Sequence, residues 1–335
     1  MWCLPMTDAI DAFLAAAGWG DAVRRDLAGD ASARRYERLS RGADRAVLMI
    51  SPSPSEVTRF AQVGSWLLDH GFSAPRIFAM EAGAGLMLIE DLGDDLLSVL
   101  LARAPDREAA LYAEVTAFLL ALHRLEPPAF VAPLDGPALG QLTELTAEWA
   151  PVLSTDAARA LPEAIAWHHA GLNDLPPVLS LRDFHAQNAL WLPDRTGVAR
   201  LGLLDFQDAV AAHPAYDLVS ALQDVRRAVS PATETREIAR YTAARGLDPD
   251  RFAAAYALLG AQRALRIHGV FARLCLAGGK AHYVDFMPLN WANLSRDLEH
   301  PALADIAALV RAAYAPPTPE MMERLKDRCA TCPTP

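Results

Sequence analysis

Apolar residues near the start of the chain recur at the spacing of an α-helix. Over residues 7–27 the apolar positions fall three or four apart, and Asp and Arg occupy the opposite face, as on an amphipathic helix. The apolar positions of this stripe are Ile10, Phe13, Leu14 and Ala17. The pattern predicts a helix over residues 7–27.

The pattern then changes to that of strands. The segment around Tyr36 and the apolar run 46–50 predict two strands, with a turn at SRGAD between them. A helical pattern follows over about 56–70, and the segments PRIFAME and LMLIEDLG predict two more strands around the turn AGAG. Residues 28–92 therefore predict a small antiparallel sheet with one helix.

Over most of the rest of the chain, apolar residues recur at the spacing of an α-helix. Helical patterns cover 95–125, 137–170 and about 215–315, and two short strands are predicted near 189–193 and 200–204. The fold class is therefore α+β, with a small sheet-rich N-lobe and a larger helical C-lobe. Clefts between lobes are the usual place for ligands.

Composition and charge exclude some classes of partner. The chain has 335 residues, of which 52% are hydrophobic, enough for a substantial core and for two lobes or two domains. The formal net charge is −10, without the basic surplus of a duplex-binding protein. No apolar run reaches the roughly 18 residues that cross a bilayer, and no signal-peptide pattern is present at the N-terminus. We expect neither nucleic acid nor a membrane as a partner.

The number and positions of the cysteines predict the cellular compartment but do not assign these residues a chemical role. The chain has four, at Cys3, Cys275, Cys329 and Cys332. This is not a disulfide framework, so a reducing cytoplasm is the simpler expectation. The pair in CATC supplies only two of the ligands of a zinc site. An incidental tail feature and a metal or redox role both stay open.

A set of polar residues interrupts the apolar segments near residue 190. In SLRDFHAQNALWL, Asp183 stands five residues ahead of Asn188, and Asp205 ends the apolar strand Leu201–Leu204. The predicted hairpin would bring Asn188 and Asp205 together at its open end. Amide and carboxylate oxygens suit Mg²⁺, and Asp183 could then accept a proton from a hydroxyl nucleophile. The alternative is that each residue only caps a turn or a helix.

These residues follow the order of the kinase phosphoryl-transfer motifs. LRDFHAQN stands where protein kinases have H-R-D-L-x-x-x-N, and LDFQD stands where they have D-F-G. The series DFHAQN, LDFQDA and HPAYDLVSAL resembles the aminoglycoside phosphotransferase family. The resemblance implies a protein-kinase-like two-lobe fold, ATP and Mg²⁺ as cofactors, Asp183 as the catalytic residue, and Asn188 and Asp205 as metal ligands. It gives Asp217, in PAYDL, a structural role.

A narrower resemblance covers most of the chain. The segments GDASARRYERL, LMLIEDLGDD and GAQRALRIHGVFARLCLAGGKAHYVDFMP are similar to those of the bacterial anomeric kinases for N-acetylmuramate and N-acetylglucosamine. Those enzymes phosphorylate the C1 hydroxyl of the sugar in peptidoglycan recycling. The resemblance implies a small-molecule sugar substrate. It also implies a nucleotide-binding N-lobe over 1–92 and a C-lobe over 93–335 with the catalytic loop and the substrate site.

The same resemblance suggests a nucleotide site in the N-lobe. Adenine would bind the Glu90 carbonyl and the Leu92 amide after a strand, with Ile89 bordering the inner pocket. A strand with a polar exit turn explains LMLIEDLGDD equally well.

One position departs from the protein-kinase pattern. Met49 stands where the phosphate-binding Lys would be, and no Lys precedes Lys280. The phosphates would then be held by backbone amides of GDAS, from Gly29 to Ser32, by Arg34 or Arg35, or by both, since Arg grips phosphate bidentately. A nucleotide-binding protein without turnover stays a second possibility.

A stretch of basic residues is the candidate for binding the substrate. Residues 251–280 hold four Arg and one Lys and no acid, and Arg266 and Arg273 lie seven apart on one helix face. This is either a solvated face with apolar Arg stems or a wall for an anion such as the lactyl carboxylate of N-acetylmuramate. For the activity of the protein as a whole, the remaining alternative is a kinase that acts on an aminoglycoside, choline or homoserine.

Overall fold

The computed structural model describes residues 6–27, 34–172 and 174–333. The chain forms two compact units, one made of Met1–Pro105 with Ala186–Ala209 and the other of Asp106–His185 with Val210–Pro335. The hairpin segment after His185 thus belongs to the same unit as the N-terminal sheet. The functional domains over 1–92 and 93–335 stay a prediction.

The strands are β1 Val23–Leu27, β2 Arg35–Arg41, β3 Asp44–Ile50, β4 Ile77–Glu81, β5 Leu86–Glu90, β6 Val178–Ser180, β7 Ala189–Trp191, β8 Leu201–Leu203 and β9 Val210–Ala212. The helices are α1 Met6–Ala16, α2 Pro54–Asp69, α3 Leu97–Arg103, α4 Glu108–Leu122, α5 Gly136–Gln141, α6 Glu144–Trp149, α7 Thr155–Leu172, α8 Ala215–Leu222, α9 Pro231–Arg245, α10 Pro249–Leu276, α11 Met287–Asp297, α12 Ala304–Ala313 and α13 Pro319–Asp327.

The first unit is built on an antiparallel sheet in the order β1-β2-β3-β5-β4. The predicted strands, the turn at SRGAD and the helix near 56–70 are confirmed as β2 to β5 and α2. The apolar stripe of α1 packs with Leu39, Leu48 and Leu88 of the sheet into one buried cluster. Burial of this shared apolar face holds α1 and the sheet together.

The helix predicted over 7–27 is correct only for its first part. Helix α1 ends at Ala16, and Gly18 follows with φ 77°, the left-handed conformation in which helices commonly stop. Residues Val23–Leu27 form β1, which pairs with β2 in the register Val23↔Ser40 to Leu27↔Tyr36. The short segment VRRDL does not alternate between apolar and polar residues. It forms a strand because it pairs with β2.

The predicted hairpin is confirmed, although its connection is longer than a tight turn. Strands β7 and β8 pair antiparallel from Ala189↔Leu203 to Trp191↔Leu201, and Gly197–Arg200 forms a turn of 3₁₀ helix between them. The hairpin joins the rest of its unit through the Leu203 amide, which donates to the Ser73 carbonyl at 2.9 Å. Its open end is therefore fixed relative to the sheet-bearing unit.

The second unit is helical and is organised around the 28-residue helix α10, which packs against α6, α8 and α11. The predicted helical stretches are present but interrupted, since 137–170 is divided among α5, α6 and α7. A two-strand ladder, β6 with β9, pairs Val178↔Ala212 to Ser180↔Val210. This ladder leads directly into the segment that carries Asp183.

The cysteine-bearing tail packs against the end of α10. The Cys329 thiol donates to the Cys275 carbonyl at 3.2 Å, and the Cys332 amide donates to the Leu276 carbonyl at 3.0 Å. Cys275 itself is fully buried. Among the described helices, none is both long and apolar enough to span a bilayer.

Candidate active site

Asp183 lies in a loop that is held in an uncommon backbone conformation. Strand β6 ends at Ser180, and Arg182 follows with φ 71°, a region that non-glycine residues rarely occupy. The Asp183 amide donates to the Leu181 carbonyl at 2.8 Å. Conformations of this kind persist where surrounding contacts enforce them, and they concentrate at functional sites.

Those contacts come from Asp217 at the start of α8. Its fully buried carboxylate accepts hydrogen bonds from the Ser180 hydroxyl at 2.7 Å, the Leu181 amide at 2.6 Å and the Arg182 amide at 3.0 Å. Burial raises the pKa of Asp217 to about 6, against the opposing effect of these three donors. Asp217 therefore fixes the backbone immediately ahead of Asp183.

Cationic side chains surround Asp183 within the second unit. Arg263 of α10 approaches the Asp183 carboxylate at 3.5 Å through Nη2 and donates from Nη1 to the Arg182 carbonyl at 2.8 Å. Burial tends to raise the pKa of Asp183, but the charges of Arg263, Arg266 and His185 lower it to about 2. The Asp183 carboxylate is therefore ionised at neutral pH.

The basic stretch divides into members with different surroundings. Arg251 is exposed and pairs with Asp174 at 2.6 Å, whereas the Arg263 side chain is 8% exposed and lies beside Asp183. Arg266 and Arg273 are half-buried. Arg266 and Arg273 were the predicted substrate candidates of this stretch. The contact of Arg263 with Asp183 was not predicted, although an Arg inside the apolar run ALLGAQRAL is a visible signal of a buried charge.

The first unit places Asn188 and Asp205 on adjoining strand ends. The Leu204 amide donates to the Asn188 carbonyl at 2.9 Å, so Asn188 lies opposite the residue next to Asp205. Asp205 has φ 56° and a side chain 38% exposed. Its Oδ1 accepts from Arg34 at 2.5 Å and from Gln207 at 3.0 Å. The sequence-predicted proximity of Asn188 and Asp205 is thus present.

Of the two arginines named as substitutes for the missing Lys, only one contacts Asp205. Arg34 is 8% exposed and forms the ion pair with Asp205. The Arg35 side chain is 65% exposed and approaches Asp26 and Glu37 at 3.6 and 3.5 Å. Gly29 and Ser32 lie outside the described residues. Met49, the residue predicted to stand in place of the Lys, is buried in β3.

The segment predicted to bind adenine consists of the end of β5 and the residues that follow it. Ile89 is buried in that strand, and the Glu90 carboxylate pairs with Arg76 at 3.2 Å and Arg195 at 2.8 Å. The Leu92 amide donates to no backbone carbonyl of the described chain. Nucleotide binding by Glu90, Leu92 and Ile89 therefore stays a prediction.

Protein side chains alone do not form a metal centre in the described parts of the chain. No group of three or more His, Cys, Asp or Glu residues there has the geometry to hold a metal ion. The donor set of Asn188 and Asp205 is small and consists of oxygen ligands. It fits Mg²⁺, which keeps several waters and completes its coordination with substrate phosphates.

Comparison with known proteins identifies the family. The model of the phosphotransferase enzyme family, APH, matches residues 23–256. The chain belongs to this family. An N-acetylmuramate/N-acetylglucosamine kinase from Caulobacter vibrioides is 40% identical over 89% of this chain and 93% of its own length. A second protein of that description, from Pseudomonas putida, is 29% identical over 87% of this chain and 89% of its own length.

Solved structures of other phosphotransferases share the fold at low sequence identity. The GDP complex of an aminoglycoside 2′-phosphotransferase has a TM-score of 0.62 at 17% identity, over 91% of this chain and all of that chain. A choline kinase from Streptococcus pneumoniae has a TM-score of 0.59 at 12% identity, over 90% and 99% of the two chains. The predicted family and the predicted protein-kinase-like α+β fold are both confirmed.

Proposed function

We propose that this phosphotransferase uses ATP and Mg²⁺ to phosphorylate the anomeric C1 hydroxyl of N-acetylmuramate and N-acetylglucosamine, in peptidoglycan recycling. The observation that carries the proposal is the 40% identity to the Caulobacter vibrioides kinase across nearly the whole of both chains. The cytoplasm stays the predicted compartment, from the use of cysteine in the sequence.

Asp183 would orient the acceptor hydroxyl and take its proton. The sugar oxygen forms a bond to the γ-phosphorus of ATP as the bond from that phosphorus to the β–γ bridging oxygen breaks, so that ADP leaves. A carboxylate with a pKa of about 2 is a weak base. Its main contribution would therefore be to position the hydroxyl, with the proton transferred late in the reaction.

Asn188 and Asp205 would hold Mg²⁺, which neutralises charge on the β- and γ-phosphates when bound. Arg34 is the better supported substitute for the absent Lys, because it already lies at Asp205. The amides from Gly29 to Ser32 and the less buried Arg35 would contribute further phosphate contacts. The Glu90 carbonyl and the Leu92 amide would bind adenine beside Ile89.

The charge near Asp183 favours an anionic or neutral substrate over a polycation. Arg263 and Arg266 both act on the Asp183 carboxylate, and residues 251–280 contain no acid. An aminoglycoside carries several positive charges and would be repelled by these side chains. The alternatives of another small-metabolite kinase, or of a nucleotide-binding protein without turnover, are decided by assay of a panel of amino sugars, aminoglycosides, choline and homoserine.

Blocking the anomeric hydroxyl is expected to abolish phosphorylation. The purified protein should transfer phosphate from ATP to N-acetylglucosamine and to N-acetylmuramate but not to the methyl glycoside of N-acetylglucosamine, in which C1 carries no free hydroxyl. ADP release and the loss of the reducing end of the product measure the reaction. Phosphorylation of the methyl glycoside would place the acceptor at another hydroxyl and return the protein to the wider group of small-molecule kinases.

Removing one positive charge from the basic stretch should change the preference of the enzyme for N-acetylmuramate over N-acetylglucosamine. If Arg266 or Arg273 binds the lactyl carboxylate, Arg266→Gln or Arg273→Gln should lower kcat/KM for N-acetylmuramate about tenfold more than for N-acetylglucosamine. A hydrogen bond to a charged group contributes about 1.5–3 kcal/mol. The ratio is the informative quantity, because Arg266 also acts on Asp183 and its loss affects both sugars.

The matched control is Arg251→Gln. Arg251 lies on the same helix but is exposed and paired with Asp174, so this variant should leave the ratio unchanged. Equal responses of the two sugars to Arg266→Gln and Arg273→Gln would identify the stretch as a solvated face.

A further inference from the structure

Arg38 of β2 forms ion pairs with the segment that follows β5. Its guanidinium donates to both carboxylate oxygens of Asp94, from Nη1 at 2.9 Å and from Nη2 at 2.8 Å. Nη2 also donates to Asp91 Oδ1 at 3.1 Å, and Nε lies 2.7 Å from Asp91 Oδ2. The Asp91 side chain is only 8% exposed, so solvent ions screen this pair weakly. One side chain of β2 therefore holds the segment at two points.

The strand ladder ends just before this segment. The pairing of β5 with β3 stops at Glu90, and residues 91–95 form neither helix nor strand. Gly93 has φ 89°, a left-handed conformation that favours glycine, and its amide donates to Asp91 Oδ1 at 3.0 Å. Asp91 thus accepts one bond from within the segment and the guanidinium of Arg38 from outside it.

The register of the sheet places Arg38 on the face proposed to bind adenine. Arg38 is paired with Val47 of β3, which in turn is paired with Ile89 of β5. Directly opposed residues of antiparallel strands share a face, so these three residues lie on one face of the sheet. The buried cluster with α1 uses the alternate residues, on the other face. Arg38 is therefore on the same face as Ile89, the residue proposed to border the adenine pocket.

Leu92 lies between residues that Arg38 contacts. Arg38 Nη2 donates to Asp91 on one side of Leu92 and, at 3.4 Å, to the Gly93 carbonyl on the other. Among the described residues, the Leu92 amide donates to no backbone carbonyl. Contacts on both sides set the direction of this amide before a ligand binds, and such preorganisation lowers the entropic cost of binding.

We infer that Arg38 is a positioning residue for nucleotide binding, an inference that rests on the proposed function. By holding Asp91 and Asp94, Arg38 keeps the Leu92 amide and the Glu90 carbonyl in the arrangement that binds adenine. It acts through the two carboxylates and not by contacting the nucleotide.

Arg38→Ala should weaken ADP binding about five- to thirtyfold, the range that corresponds to restoring the backbone freedom of one residue. Calorimetry measures the dissociation constant of ADP, and initial rates give KM for ATP, which should rise by the same factor. At saturating ATP and N-acetylglucosamine, kcat should stay within about twofold of wild type, because a loss of uniform binding raises KM and not kcat. A merely structural role would not produce this division between KM and kcat.

Arg24→Ala is the matched control. Arg24 pairs, as Arg38 does, with one buried and one exposed carboxylate, those of Glu37 and Asp11, at 2.7 Å each. Its ion pairs link β1 to β2 and α1, away from the segment after β5. ADP affinity should therefore be unchanged in Arg24→Ala. Equal losses of ADP affinity in both variants would indicate a general effect on stability and overturn the inference.

Variants of the carboxylates test whether Arg38 acts through them. In that case Asp91→Asn also weakens ADP binding, and the double variant with Arg38→Ala loses less than the two single variants combined. If Arg38 instead bound the nucleotide directly, Asp91→Asn would leave ADP affinity unchanged or raise it, and the positioning role would be wrong. Asp94→Asn, at a side chain 79% exposed, should cause a smaller loss and serves where Arg38→Ala fails to fold.

The outcomes separate this inference from the proposed function. If the wild type phosphorylates the amino sugars and ADP affinity is unchanged in Arg38→Ala and in Asp94→Asn, only the positioning role is refuted. If the wild type binds ADP but phosphorylates neither N-acetylglucosamine nor N-acetylmuramate, the proposed function is refuted, and the same calorimetry still decides whether Arg38 positions the nucleotide site.

Discussion

Replacing Asp205 with alanine should reduce turnover by about 10³-fold or more while the protein still folds. Asp205 lies just after the end of β8 and close to Asn188, and its carboxylate is the charged member of the proposed metal site. Lewis-acid stabilisation by a bound metal contributes several kcal/mol to a transition state, and each 1.36 kcal/mol changes a rate about tenfold. ADP release measured over a Mg²⁺ titration tests this expectation.

Asp208→Ala is the control for Asp205→Ala. Asp208 lies three residues further along and is 45% exposed, and it pairs with Arg59 at 3.5 Å, so its loss should leave kcat close to wild type. Circular dichroism must accompany the assay, because Asp205→Ala also removes the ion-pair partner of Arg34. A wild-type rate of Asp205→Ala at saturating Mg²⁺ would show that Asp205 is not a metal ligand.

The proximity of Asn188 and Asp205 could be predicted because the two residues are close in sequence. Asn188 and Asp205 flank two short strands, and a hairpin between them leaves little choice about where its ends lie. Asp183 follows an apolar segment and precedes Asn188 by five residues. Local pattern and a short chain connection therefore carried enough information to place Asn188 and Asp205 together, and the roles of these two residues and of Asp183 stay predictions.

The features that the sequence left open or did not predict depend on distant parts of the chain. Strand β1 has no apolar alternation of its own and becomes a strand by pairing with β2. Arg34 and Arg35 are neighbours in sequence, but only Arg34 reaches Asp205, 171 positions away. Arg263 lies 80 residues from Asp183. No local period specifies such pairings, since they follow from how the elements pack.

Asp217 shows how a long-range contact supports a short-range motif. Its buried carboxylate holds the backbone from Ser180 to Arg182, and the positive φ of Arg182 follows directly before Asp183. The D-x-x-x-x-N spacing alone gives the order of the groups. The orientation of Asp183 depends on this anchor, which the family resemblance indicated as structural.

Asp183→Asn should lower kcat by about 10²–10⁴-fold, the range expected for loss of a general acid–base group. The substitution keeps the size of the side chain but removes its charge and its ability to take a proton. The affinity for ATP should change little, because Asp183 is proposed to face the acceptor hydroxyl. Rapid-mixing kinetics for the phosphoryl-transfer step and calorimetric ATP binding separate the two effects.

The pH dependence distinguishes the proposed role from that of a base titrating near neutrality. Arg263, Arg266 and His185 offset the effect of burial and lower the pKa of Asp183 to about 2, so the carboxylate stays ionised from about pH 8 down to about pH 5. Ionisation of Asp183 should therefore cause no fall in kcat across that range.

Asp174→Asn is the matched control for Asp183→Asn. It alters an exposed carboxylate that pairs with Arg251, so this variant should behave like wild type. A variant Asp183→Asn that loses ATP binding but keeps kcat would reverse the proposed role and place Asp183 on the nucleotide side of the reaction.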